Sequence, residues 1–321
     1  MATVLEILEA GGLVTIQDSG RRGWQKFGVP VSGPMDWFAH RAANLLAGNA
    51  PDAAALEIGF GDVTLRALRD CVVAVTGVGF VSSTFAWTFP LWTSFVVRSG
   101  GTVTLSKRGV GNWAYLAVAG GFEVEPVLGS RSNNVRADLG RKLQVGDLLR
   151  IGQPSRSPDE LAARTFLPEK KPAYSSSPVI RVIEGPQSDW FSKEGLEIFL
   201  GSEYEISSSS DRMGYRLEGL SIAHTRAADL LSEGMTAGSI QIPASGQPIV
   251  MMADCPPTGG YPKIANVISA DLPVLAQVPP RGGRIRFKMT SIEEAQARLW
   301  TMMQNLNDGM EEIENDAKFA Q

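Results

Sequence analysis

Gly, Asn, Asp or Pro interrupts this chain every few residues, and short runs of β-branched and aromatic residues lie between the breaks. Apolar runs too short for a helix and bounded by turn formers read as strands joined by tight connections. The pattern predicts strands at Thr3–Leu8, Val63–Leu68, Val72–Val75, Ser94–Arg98, Thr102–Ser106 and Trp113–Val118. The second half adds Val179–Ile183, Glu203–Ser207, Ile240–Ile242, Ile249–Met252 and Arg284–Lys288. Helices are few. From Pro34 to Leu46, the residues Met35, Phe38, Ala42, Leu45 and Leu46 fall on one helical face, with Ser32 as cap, Pro34 in the first turn and Gly48-Asn49 at the end. Shorter helices are expected over Gln187–Lys193 and Arg226–Ser232. The expected class is mainly β with few helices.

A chain of 321 residues exceeds one ordinary core and suggests two domains. Between Gln153 and Pro178 the composition shifts to Pro, Ser, Lys and Arg and apolar periodicity is lost, so 153–178 reads as a linker between domains at 1–152 and 179–290. Beyond it, Ser291 and Glu294 fit a capping box. Ile292, Ala295, Leu299, Met302 or Met303, Leu306, Met310 and Ile313 then recur at helical spacing, giving an amphipathic C-terminal helix over 291–321 docked on the body or on a partner. Its acidic end, Glu311 to Asp316, reads as a solvated face.

Several classes of function are excluded. A net charge of −4 gives no electrostatic reason to expect nucleic acid or an anionic membrane. No apolar run approaches a bilayer span, and residues 1–10 lack a signal-peptide pattern. Cys71 and Cys255, the two cysteines, lie far apart and suggest reduced thiols in the cytoplasm. With only His40 and His224 there is no multi-histidine metal cage, and His40 reads as structural. No Gly-Lys P-loop and no Gly-x-Ser-x-Gly elbow occurs. Val72–Gly79 lacks the third glycine of a dinucleotide fingerprint, and Phe287-Lys288-Met289 lacks the first Met of a biotin carrier. Any catalysis therefore falls to carboxylates, lysines, tyrosines or amides.

Four segments concentrate such groups. Residues 15–49 set Gln17, Asp18, Arg21 and Arg22 in a Gly-rich turn, then Ser32 and Asp36 before a helix, whose free N–H groups suit an anion. The same residues also suit a plain turn, with Asp36 favouring the first helical turn. Residues 240–277 hold Asp254, Thr258, Tyr261 and Lys263 on a loop stiffened by Pro256, Pro257, Gly259, Gly260 and Pro262, suited to proton transfer or anion binding. The alternative is a long turn that satisfies its own backbone. Residues 207–219 cluster Asp211, Arg212, Tyr215 and Arg216, either for a planar anion or as a solvated hairpin. Residues 128–134 place Arg131 between Ser130 and Ser132, as a small anion site or a turn.

These segments resemble, in order, the allophanate hydrolase subunit 2 family. Its opening signature has Thr-x-Gln-Asp-x-Gly-Arg-x-Gly, Gly-Val-x-x-Ser-Gly-x-x-Asp and Ala-Asn-x-Leu-x-Gly-Asn, which align within residues 15–49. Agreement continues at Leu56-Glu57, Tyr115 to Gly121, Leu128 to Arg131, Asp211 to Leu217, Ile240 to Pro243, Thr258 to Ala265, Ala270 to Leu272 and Ala276-Gln277. The resemblance covers about residues 4–288 and stops before the C-terminal helix. Pro257 replaces the first Thr of the family's Asp-x-x-Thr-Thr-Gly-Gly-Tyr-Pro, removing one hydroxyl.

The resemblance implies two β-barrel domains of cyclophilin-like fold. The family includes a component of bacterial 5-oxoprolinase, which opens 5-oxo-L-proline to L-glutamate with ATP and with partner A and B subunits. It also includes the biotin-dependent carboxyltransferase part of urea amidolyase, and a non-enzymatic antagonist of a homologue of the B subunit. The leading expectation is a 5-oxoprolinase component, inactive alone, taking a small amide or lactam. ATP is used at the level of the complex, and neither a metal nor a biotin attachment is expected in this chain. By resemblance and local chemistry, Asp18, Asp36, Asp254, Tyr261 and Lys263 are expected to move protons. Gln17, Arg21, Ser32, Asn44, Arg131, Asp211, Arg212, Gln241 and Thr258 are expected to bind substrate.

Overall fold

The computed structural model describes residues 2–85 and 87–312. Two compact units divide them: residues 2–21, 36–172 and 303–312 form the first, and residues 22–35 and 173–302 the second.

The first unit holds β1 (Ala2–Ala10), β2 (Leu13–Gln17), β3 (Ala55–Gly59), β4 (Val63–Ala67), β5 (Cys71–Gly77), β6 (Phe80–Ser83), β7 (Thr88–Phe89), β8 (Thr93–Val97), β9 (Thr102–Lys107), β10 (Trp113–Val118), β11 (Leu148–Ile151) and β12 (Arg164–Phe166). The second holds β13 (Val179–Glu184), β14 (Glu203–Ile206), β15 (Gly214–Glu218), β16 (Glu233–Gly234), β17 (Ser239–Gln241), β18 (Ile249–Met251), β19 (Thr258–Gly259), β20 (Lys263–Val267) and β21 (Arg284–Met289). The chain then returns to the first unit as β22 (Met310–Glu312). The helices are α1 (Trp37–Leu46), α2 (Pro158–Leu161), α3 (Lys193–Gly201), α4 (Leu272–Ala276) and α5 (Ile292–Asp308). The fold is mainly β with few helices, as the turn-punctuated sequence predicts.

In the first unit, a sheet ordered β11-β1-β4-β9-β6-β7 and a sheet ordered β2-β3-β10-β5-β8-β12-β22 enclose one core. The sequence encodes the difference between them. β4 and β9 alternate, with Val63, Leu65, Val103 and Leu105 inside and Thr64, Arg66, Thr102 and Thr104 outward, as expected of a sheet with one wet face. β5 and β10 are buried at every position, because α1 packs on the face turned away from the core. Thr76 Oγ1 donates to the Ala39 carbonyl at 2.7 Å and ties that helix to β5. Val4 and Leu5 are both buried because a β-bulge between Thr3 and Leu5 breaks the alternation of β1. The second unit closes as a barrel in the order β13-β20-β17-β18-β15-β14-β21, with β16 and β19 forming a separate ribbon.

Four expectations are corrected. α1 starts at Trp37, not Pro34, because Asp36, in an extended conformation, accepts from the Ala39 amide and caps it. Ser32 is no cap: it and Gly33 have left-handed φ values of 61° and 92°, so the chain is still turning there. Of the helix expected over Gln187–Lys193 only a 3₁₀ turn forms, at Ser188–Trp190, and the α-helix proper starts later, as α3, where Ser192 caps the Gly195 amide. Residues 226–232 form no helix: Leu231 is exposed and no apolar face is buried to stabilise one.

The stretch expected as a linker, 153–178, carries α2 and β12. Phe166 is fully buried, in edge-on contact with Phe38 of α1 at 5.7 Å, and its strand pairs with β8 and β22. Local composition conceals this because the partner strands are distant in sequence. At α5, the Ser291 hydroxyl accepts from the Glu294 amide, but Glu294 turns to Thr290 and Arg298, so only half of a capping box is present. The helix stops at Gly309, where a Cβ would lie 2.3 Å from Phe166 Cζ, and the chain continues as β22. Ile313 and the rest of the expected helix to residue 321 lie outside the described residues. Among the described residues, no helix is long and apolar enough to cross a membrane.

Candidate functional site

Asp18 follows β2 and meets the 128–134 turn. Its Oδ1 accepts from the Gly20 amide (2.9 Å), the Ser130 hydroxyl (2.6 Å) and the Ser132 hydroxyl (2.7 Å), and its Oδ2 from the Arg131 amide (2.6 Å). Burial favours the neutral acid, but the donors Ser130, Arg131, Ser132 and Gly20 outweigh it and hold the carboxyl below its usual range. Such a carboxylate is a poor proton acceptor, so the role expected of Asp18 does not fit. It is the hub that shapes the turn. Arg21 is 2% exposed and donates to the Ser132 carbonyl, again fixing backbone rather than facing solvent. Gln17, fully buried, donates to Thr15 Oγ1 and the Asn133 carbonyl, each at 3.0 Å. Its Oε1 has no hydrogen-bond partner. Arg131 is half-buried, paired with Glu123 at 2.9 Å, and lines two cavities of the first unit, of about 470 and 220 Å³.

On α1, Asp36 and Asn44 are both fully buried. Asp36 caps the helix and its amide donates to the Tyr115 hydroxyl at 2.8 Å, while that hydroxyl donates to Glu57 Oε2 at 2.8 Å. Burial, with Glu57 and Asp36 nearby, pushes the Tyr115 phenol well above its ordinary value. Burial also pushes His40 down to about 4, so the ring is neutral at pH 7 and Nε2–H donates to the Gln17 carbonyl at 2.9 Å. Asn44 donates to the Ala53 carbonyl at 2.8 Å and accepts from Asn49. In the isolated chain these contacts cap the helix start at Asp36 and fix the helix end at Asn44.

In the second unit, Arg212 and Asp254 form a two-point ion pair, Nε–Oδ2 at 2.8 Å and Nη2–Oδ1 at 3.0 Å, with side chains 8% and 9% exposed. Arg212 Nη2 also donates to the Gly33 carbonyl at 2.7 Å, fastening the left-handed turn at Ser32-Gly33. Asp211 accepts from the Met213 and Gly214 amides and closes its own turn. Asp254 and Arg212 thus answer each other, which leaves Asp254 poorly placed to carry protons to a ligand.

The loop between β18 and β20 is different. Thr258 and Tyr261 are exposed, and Gln241 donates to the Tyr261 carbonyl at 3.3 Å. Lys263 is buried, and its Nζ lies 2.9 Å from Glu233 Oε2 and 3.4 Å from the Gly234 carbonyl. Gln187 closes the arrangement: Oε1 accepts from the Lys263 amide (3.1 Å) and Nε2 donates to Glu233 Oε2 (2.9 Å). Hydrogen bonds from Lys263 and then Gln187 hold the Glu233 carboxyl below its usual range. Glu233 sits on β16, which pairs with Thr258-Gly259 of β19. Neither Glu233 nor Gln187 is singled out by sequence, because each is an isolated polar residue brought to Lys263 only by the barrel.

Both cysteines are free and buried, and burial pushes each thiol up to about 12, which makes them unreactive. Among the described residues, no group of three or more His, Cys, Asp or Glu side chains is placed to hold a metal ion.

The family described as carboxyltransferase domain, subdomain A and B, matches residues 27–289. The chain is 40% identical over 299 residues to the C subunit of 5-oxoprolinase from Escherichia coli (strain K12), covering 91% of this chain and 93% of that one. The solved structure of K. lactis urea amidolyase superposes with a TM-score of 0.89 at 27% identity, over 98% of this chain and 20% of that one. That of the protein TTHA0988 superposes with a TM-score of 0.78 at 34% identity, over 89% of this chain and 55% of that one. The chain therefore spans only about half, or a fifth, of these solved relatives.

Proposed function

Because this chain belongs to the carboxyltransferase-domain family, we propose that it is one component of a cytoplasmic ATP-dependent 5-oxoprolinase, opening 5-oxo-L-proline to L-glutamate with partner A and B subunits. The observation that carries this reading is the 40% identity to a 5-oxoprolinase C subunit along nearly the whole of both chains. The loop from Asp254 to Lys263 is its reaction site. Lys263 polarises the lactam carbonyl for attack by water, Tyr261 gives a proton to the ring nitrogen as the C–N bond opens and regains one from that water, and Thr258 and Gln241 line the loop. Arg212 and Asp254 hold the start of that loop, Asp18, Arg21 and Asp36 hold turns and a helix end within the first unit, and Arg131 gives the first unit an anion-binding group beside its cavities. ATP is consumed by the assembly.

The similarity to urea amidolyase favours a second reading, a biotin-dependent carboxyltransferase component acting on urea or a related amide. On that reading the carrier lysine comes from another chain, since Phe287-Lys288-Met289 lacks the first Met of a carrier motif. A third reading is a regulator that binds a homologue of the B subunit. The test mixes this chain with its A and B partners and measures ADP release. Release that requires 5-oxoproline and this chain supports the proposal. Urea-dependent conversion of carboxybiotin to biotin by this chain, measured separately, supports the second reading, and tight partner binding without ATP turnover the third. Dependence on neither substrate refutes the 5-oxoprolinase assignment.

A further inference from the structure

Lys263 and Glu233 do more than neutralise each other. Lys263 Nζ has three protons, and its acceptors among the described residues are Glu233 Oε2 and the Gly234 carbonyl, which leaves one proton without an acceptor. Glu233 receives both Lys263 and Gln187 on Oε2, while Oε1 has no protein partner among the described residues. The Glu233 side chain is 48% exposed and that of Lys263 only 6%. The site thus presents an unused anionic acceptor beside an unused cationic donor, about one hydrogen bond apart.

That geometry has a chemical complement. In a lactam or a primary amide, the carbonyl oxygen and an N–H lie on the same edge, an acceptor beside a donor. An ester, a lactone or an N-substituted lactam lacks the N–H. We propose that Glu233 is a specificity-determining residue that accepts the N–H of a lactam or primary amide while Lys263 donates to its carbonyl. The inference rests on the reading of the 254–263 loop as the site, and it names the ligand edge that site reads.

Two features keep the pair in place. Gln187 bridges the Lys263 amide and the Glu233 carboxylate, so the acidic side chain is oriented from both ends. The ribbon carrying Glu233 also needs a glycine opposite it. A Cβ at Gly259 would lie 2.1 Å from Met235 Cε and 2.7 Å from Gln241 Nε2, and Met235 follows that ribbon directly. A side chain there would press on Met235 and Gln241, which flank the pair.

The test uses the chain alone and two small probes, 2-pyrrolidinone and N-methyl-2-pyrrolidinone, which differ at the N–H. Ligand-observed NMR titration should show 2-pyrrolidinone bound about tenfold or more tighter, the worth of one hydrogen bond to a charged acceptor. Glu233→Ala should abolish that preference, and Glu233→Asp should restore part of it. Lys263→Met should weaken both probes while the preference for the N–H remains. Equal binding of the two probes, no binding of either, or a preference that survives in Glu233→Ala overturns the proposal. Because no turnover is measured, failure of the ADP assay would remove the 5-oxoprolinase assignment and leave this result standing.

Discussion

Replacing Asp18 with Asn is a demanding perturbation, because it changes one atom and the charge but not the shape. Three of the four donors, Gly20, Ser130 and Ser132, converge on Oδ1, and Arg131 alone uses Oδ2. The amide will keep its oxygen toward the three and set its NH₂ against the Arg131 N–H. One charge-assisted bond is lost and becomes donor against donor, costing about 1–3 kcal/mol, and the other three fall to neutral strength. Asp18 is partly exposed, so water recovers some of this, and about 2–3 kcal/mol of destabilisation is expected at pH 7. The folded carboxyl titrates below its unfolded value, so its contribution is complete above the unfolded pKa of about 4 and is lost as pH falls through the folded value. Urea unfolding at pH 7 and at pH 3 measures both points. The variant's deficit should shrink at the lower pH. An Asn variant as stable as the parent at pH 7, or a deficit that does not change with pH, would refute the assignment of Asp18 as a charged hub.

Two further outcomes follow from buried groups. His40 is depressed to about 4 from 6.5, so the neutral form is bound in the folded state, and stability that is full above pH 6.5 should fall by about 3 kcal/mol as pH drops to 4. A His40→Gln variant should lose that slope in urea titrations across this range. Arg212→Ala strands the Asp254 carboxylate and the Gly33 carbonyl in a buried setting and should cost about 3–5 kcal/mol, whereas Arg212→Met with Asp254→Leu should recover much of it by urea denaturation.

Legibility in the sequence tracked the range of the interactions involved. Strands such as β4 and β9 could be read from residue alternation because each position reports only which face it occupies. The start of α1 was ambiguous since Ser32 and Asp36 are both good caps, and only the left-handed turn at Ser32-Gly33 decides between them. β12 was hidden in a Pro- and Ser-rich stretch because the strand exists only through β8 and β22. The proposed site is partly legible: Lys263, Tyr261 and Thr258 fall in a loop dense in polar groups. Glu233 lies 30 residues from Lys263 and Gln187 lies 76 away, so no local pattern connects them.

The same physics separates two kinds of polar residue in this chain. A carboxylate that accepts several backbone or hydroxyl donors is strongly ionised and sterically committed, and neither property suits proton exchange with a ligand. Asp18 is of this kind, whereas Asp36 and Asp254 are committed by geometry, one capping a helix and the other locking an arginine. Glu233 keeps one oxygen clear and half its side chain in solvent, which is what a ligand contact requires. The signature residues that are conspicuous in sequence are therefore those that hold loops in register, because fixing a backbone takes a particular side chain at a particular place. The pair proposed to meet the ligand, Lys263 and Glu233, is instead held by Gln187 and the barrel of the second unit. Substitution at Asp18 should accordingly be read first in stability and its pH dependence, and substitution at Glu233 first in which small amide is bound.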